Sequence, residues 1–78
     1  MPIEGIHAYY LRTSNTTDGT GYHTIDDART ALRTLVRLER DRGHAVEEQP
    51  DGRWVSHQQP TGSISFWLED DGENTVRL

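Results

Sequence analysis

The chain has no cysteine and no lysine, and only one methionine and one phenylalanine. Without cysteine there is no disulfide framework, no thiolate metal site and no thiol nucleophile. No stretch approaches the ~20 consecutive apolar residues that a membrane-spanning helix requires. The opening Met-Pro-Ile-Glu-Gly lacks the basic and apolar regions of a secretory signal. A cytoplasmic protein is therefore expected, and Asn15-Thr16-Thr17 carries no weight as a glycosylation acceptor. Apolar residues are scarce as well. The hydrophobic fraction is 32%, and Leu, Ile, Val and Phe together supply fifteen of 78 residues, just under the one-fifth mark below which chains tend to stay unfolded.

What is present still points to a folded chain. The net charge of -5 is modest and the apolar periodicities are clear. Residues 1–78 form one small domain, whose core supplies no more than about 3–5 kcal/mol of net stability. With neither disulfide nor metal to help, self-association is a reasonable expectation. All eight basic residues are arginine. A GC-rich genome explains that choice simply, but the consequence is physical: arginine makes planar, bidentate contacts with carboxylates and phosphates that lysine does not. Residues 24–43 hold Arg29, Arg33, Arg37, Arg40 and Arg42 against Asp26, Asp27, Glu39 and Asp41, a net of +1. The rest of the chain sets Arg12, Arg53 and Arg77 against nine acids, a net of -6.

That same stretch is the clearest element. Thr24 reads as a helix N-cap with Asp27 three residues on, and Gly43 reads as the stop. Ile25, Ala28, Ala31, Leu32, Leu35, Val36 and Leu38 recur at helical spacing and span roughly 160° of the circumference, a core-facing stripe. Arg29, Arg33, Arg37 and Arg40 fall together on the other side. The spacing of Arg37 and Asp41 predicts an i,i+4 ion pair within that solvated face.

Strands are expected on either side. Residues 5–13 read as a strand of ambiguous phase, with Ile6, Ala8 and Tyr10 preferred as the inward set over His7, Tyr9 and Leu11. Residues 14–23 form a long polar loop. Residues 44–49 and 53–58 read as strands joined by the Pro50-Asp51-Gly52 turn, and Pro60-Thr61-Gly62 makes the next turn. From Ser63 to Glu69 the alternation is clean, with Ile64, Phe66 and Leu68 on one face and Trp67 on the other. Asp70-Asp71-Gly72 is a third turn, before a short strand within residues 75–78. Tight turns force antiparallel neighbours. The expected fold is a two-layer α+β domain, an antiparallel sheet of three to five strands with one long helix on one face, in the order β-α-β-β-β.

The candidate functional residues form two sets. The first joins Trp54 and Trp67 with Glu47, Glu48, Glu69, Asp70 and Asp71, an acidic and aromatic surface at one end of the sheet. An open sheet face carrying Trp67, with Trp54 or Val55 beside it, suits an interface anchor, and clustered carboxylates suit a surface that imitates phosphates. The plainer reading of the acids is solubility and blunted strand edges. The second set is the arginine face, Arg29, Arg33, Arg37 and Arg40, a contact for phosphates or for an acidic protein. Nucleic-acid binders are usually basic, with an isoelectric point above about 9, whereas this chain has one near 5.2. A protein contact is therefore favoured over nucleic acid.

Other motifs carry less. The four histidines are scattered, and His44 beyond the helix end reads as a dipole partner. No metal or cofactor is expected. Thr17-Asp18-Gly19-Thr20-Gly21 lacks the Gly-Lys-Ser/Thr ending of a phosphate loop. Asp70-Asp71-Gly72-Glu73 lacks the alternating ligands of a calcium loop. No serine sits in a nucleophile elbow, and so short a chain has little room for a water-excluding active site. The expected function is that of a non-enzymatic interaction protein, a stoichiometric inhibitor or binder of a larger macromolecular complex. Anti-CRISPR and anti-restriction factors of phages and mobile elements are proteins of this type. A small nucleic-acid-binding regulator using the arginine face, and a structural homo-oligomer closing its open sheet face, are the alternatives.

Overall fold

The computed structural model of the chain describes residues 8–15, 19–58 and 62–78. The expected strand start at Gly5 with Ile6 and His7, most of the Asn15-Thr16-Thr17 tripeptide, Thr17-Asp18, and the Pro60-Thr61 turn lie outside them. In chain order the elements are β1 (Tyr9–Thr13), β2 (Gly19–Tyr22), α1 (Ile25–Asp41), β3 (Ala45–Glu48), β4 (Trp54–Gln58), β5 (Gly62–Asp70) and β6 (Thr75–Val76). The six strands form one antiparallel sheet in the order β2-β1-β5-β4-β3, with β6 also paired to β5. The helix packs on one face. The two-layer α+β architecture is as the sequence implies, with one strand more than expected and a β-β start rather than a single strand before the helix.

Strand β5 organises the sheet. Along one edge it pairs with β1, and along the other with β4 and then β6. Its alternation sends Phe66 and Leu68 inward, both fully buried. Opposite them Ala28, Leu32 and Val36 of α1 complete the core. Truncating a core residue such as Phe66 to Ala costs about 3–5 kcal/mol, which approaches the whole stability of so small a domain.

The helix ends are built as the sequence implies. Thr24 is extended (φ -123°, ψ 154°) and its side chain accepts from the Asp27 N–H. At the other end Gly43 has φ +89°, a conformation that favours glycine. The Gly43 N–H donates to Arg40 O and the His44 N–H to Glu39 O, the paired closing bonds of a Schellman motif.

Three expectations are corrected. The inward residues of β1 are Tyr9 and Leu11, which pack on the core, not Ala8 and Tyr10. Both phases were apolar, and pairing decides: Leu11 sits opposite Leu68. Leu38 is not in the buried stripe but is 45% exposed. The polar loop contains β2, which has no strand-forming alternation of its own and exists by pairing with β1. A Cβ at Gly19 would lie 2.9 Å from Arg12 Cδ and 3.2 Å from Leu11 O, so a larger residue there requires the Arg12 side chain to shift.

Candidate functional site

The two rows of charged residues on α1 have opposite fates. Glu39 follows Leu35 by four positions and Val36 by three, so at ~100° per residue it lies inside the apolar stripe. It is only 2% exposed. The carboxylate is fully engaged: Ser56 Oγ donates to Oε1 at 2.7 Å, His44 Nδ1 lies 2.8 Å from the same oxygen, and Arg42 Nη1 lies 3.2 Å from Oε2. His44 and Glu39 occupy the two Schellman positions where an apolar contact is usual. The helix end is therefore closed by a polar clasp that also ties it to β4. The wheel position of Glu39, inside the apolar stripe, is the sequence signal for its burial. Ser56, His44 and Glu39 are the residue types of a hydrolytic triad, but the wiring differs. A triad serine donates to histidine, whereas Ser56 donates to the carboxylate and has no exposed surface.

The acidic set disperses. Glu48 lies 3.6 Å from Arg77 Nη1, and Arg77 also donates to Pro50 O. Glu47 lies 3.7 Å from His57 Nε2. Asp70 holds its own turn, with Oδ1 accepting from the N–H groups of Gly72 and Asn74. Its carboxyl is held below the usual aspartate range, chiefly by the Asn74 N–H. Glu69 accepts from Trp67 Nε1 at 2.8 Å and lies 3.9 Å from Arg12. Asp71 alone of the five is exposed without such a contact among the described residues. β6 pairs with β5 at Leu68 and Glu69, and Arg77, the residue after it, is the one that meets Glu48.

The two tryptophans part company. Trp67 is on the open face as expected, half-buried, with the Arg53 guanidinium 4.4 Å from its ring centre. Trp54 pairs with Phe66 and packs on the core from the helix side. Val55 takes the open face instead. This corrects the grouping of Trp54 with Trp67, because period-two alternation on β4 fixes Trp54 inward once Phe66 is its partner.

Trp54 belongs with the arginines. Arg29 is drawn off, donating from Nε to Arg77 O at 3.2 Å. Arg33, Arg37 and Arg40 rim a groove of about 430 Å³ floored by Val36, Trp54 and Leu78, with Asp41 at its margin. Arg33 and Arg37 also line a second, more polar depression with Thr30 and Thr34. Among the described residues neither Arg33 nor Arg37 has a hydrogen-bond or ion-pair partner, and the expected Arg37–Asp41 pair does not form. A basic residue N-terminal to an acid is the weaker orientation for such pairs. Arg40 sits over Trp54, 6.0 Å from the ring centre, with one long bond of 3.5 Å to Val46 O. Among the described residues the buried Trp54 Nε1–H has no acceptor, an arrangement that costs about 1–3 kcal/mol. Two unmatched guanidiniums, a loosely held third, and an apolar floor with an unsatisfied donor thus lie side by side. Such a site can grip carboxylates or phosphates bidentately and bury an apolar group beside them.

Among the described residues no helix is long and apolar enough to cross a membrane. Comparison with known proteins returns no matching family model, no matching curated protein and no matching solved structure, so the chemistry of the site carries the functional reading.

Proposed function

We propose that the protein is a non-enzymatic binding module that engages an acidic protein surface through Arg33, Arg37 and Arg40 of α1. The observation that carries this reading is the placement of two unpaired cations beside an apolar floor. Arg33 and Arg37 have no hydrogen-bond or ion-pair partner among the described residues and line a groove with Val36, Trp54 and Leu78. An unpaired surface cation is common enough, but two adjacent ones bordering an apolar groove resemble the rim and core of an interface. A stoichiometric inhibitor of a larger complex is one form such a binder takes, and the lack of cysteine suits a cytoplasmic setting. The open face around Trp67 ranks second, because Arg53 already lies over the Trp67 ring, and Glu69 already accepts from Trp67 and meets Arg12 there. Nucleic acid ranks below a protein because the net charge of -5 opposes the approach of a polyanion.

The test is capture of the tagged protein from lysate of the organism that carries the gene, with and without nuclease. A stoichiometric protein retained after nuclease, lost with the Arg33→Glu/Arg37→Glu variant and kept with Trp67→Ala, is the expected result. Loss with Trp67→Ala alone would move the contact to the open sheet face. Recovery of nucleic acid only would replace the proposal with the nucleic-acid reading.

A further inference from the structure

We infer that the groove between α1 and Trp54 receives an acidic peptide segment carrying one aliphatic or aromatic anchor side chain. This rests on the binding reading above and specifies the occupant. The groove is divided chemically. Its floor is Val36, Trp54 and Leu78, and its rim is Arg33, Arg37 and Arg40, with Asp41 the one acid among its described lining residues. The local balance is therefore cationic in a chain of net charge -5. Carboxylates on the occupant pair with the rim in fork geometry, and the anchor removes the floor from water. A volume of about 430 Å³ lies at the low end of small-ligand sites. It holds a few side chains, not a domain surface.

Arg40 and Trp54 supply the response. Arg40 is held by a 6.0 Å cation–ring contact with the indole and one 3.5 Å bond, so it can turn toward an incoming carboxylate at little cost. Its departure uncovers Trp54, whose Nε1–H has no acceptor among the described residues, and a carbonyl or carboxylate of the occupant completes that bond. A nucleic-acid strand meets the rim equally well and its bases can stack on an aromatic floor, so charge density is what disfavours it. Its dense charge, one phosphate per ~1.7 Å of duplex, is repelled more strongly by the acidic remainder of the chain than two or three carboxylates are.

Trp54 reports its own site. With Trp67→Phe it is the sole tryptophan, and its fluorescence can be followed as three probes are added up to millimolar concentration. The probes are a short peptide of glutamates flanking one leucine, the same peptide with serine in place of leucine, and a single-stranded oligonucleotide of similar charge. The expected result is a change in Trp54 emission with the leucine peptide, about tenfold tighter binding than the serine peptide, and loss of binding with Arg33→Glu/Arg37→Glu. Circular dichroism checks that both variants remain folded. Equal, salt-sensitive binding of the two peptides would overturn the anchored occupant while leaving the arginine contact intact. Tightest binding by the oligonucleotide would overturn both. No peptide binding by folded protein would overturn this inference, with the capture experiment deciding separately whether the arginine face binds a protein.

Discussion

Glu39 and Arg37 lie less than one turn apart on the same helix, yet the protein treats their charges in opposite ways. Glu39 is buried and meets a hydroxyl, an imidazole and a guanidinium. Arg37, with Arg33 beside it, meets no partner among the described residues. The difference separates two uses of charge. A buried charge must be matched inside the fold, since leaving it alone costs several kcal/mol. An exposed charge can wait for a partner from outside, because water solvates it at little penalty.

That comparison breaks most visibly at Glu39. Replacing it with Ala leaves the buried Ser56 hydroxyl and the His44 ring without their acceptor, and the expected loss is about 1–3 kcal/mol. For a domain of this size that moves the urea midpoint clearly downward. A midpoint unchanged from wild type would show that the clasp contributes little. Ser56→Ala removes one donor and keeps the rest, with an expected loss of about 0.5–1.5 kcal/mol by the same measurement.

Acid sharpens the comparison at a matched charge of a different kind. Asp70 is held below the ordinary aspartate value of 3.8 by backbone N–H groups of its own turn. A lowered folded value contributes stability above the ordinary value, and that contribution disappears as pH falls through the folded one. The Asp70→Asn variant keeps an acceptor for the turn but cannot titrate there. Its stability should therefore fall less than that of wild type as pH drops below about 4. Parallel acid profiles would show that Asp70 does not contribute. The smallest effect is expected at the unmatched charges: Arg33→Ala/Arg37→Ala should change stability by no more than about 0.5 kcal/mol, even as partner binding is lost. A large loss of stability would return these arginines to a structural role.

The helix and its caps were legible in the sequence because cap chemistry is local. Thr24 and Gly43 act within four residues of themselves. The clean alternation of β5 was legible for the same reason. β2 was not, since Gly19 to Tyr22 has no apolar alternation and owes its strand form to β1. The facing of β1 and of Trp54 was set by register with Leu68 and Phe66, which only the assembled sheet fixes. The arginine row could be drawn on a helical wheel, but its lack of partners could not, because i,i+4 spacing makes Arg37–Asp41 look satisfied. The groove needed Trp54 and Leu78, distant in sequence, to be brought beneath the arginines.

Site-resolved side-chain spectra distinguish the arginine groove from the open sheet face. In nitrogen-15-labelled protein, the Nε–H signals of Arg33, Arg37 and Arg40 and the Nε1–H of Trp54 can be followed as the acidic leucine peptide is titrated in. These four should shift together and saturate at one concentration, with Arg53 and the Nε1–H of Trp67 unmoved. Shifts confined to Trp67 and Arg53, with the helix arginines silent, would contradict this and place the contact on the open face of the sheet.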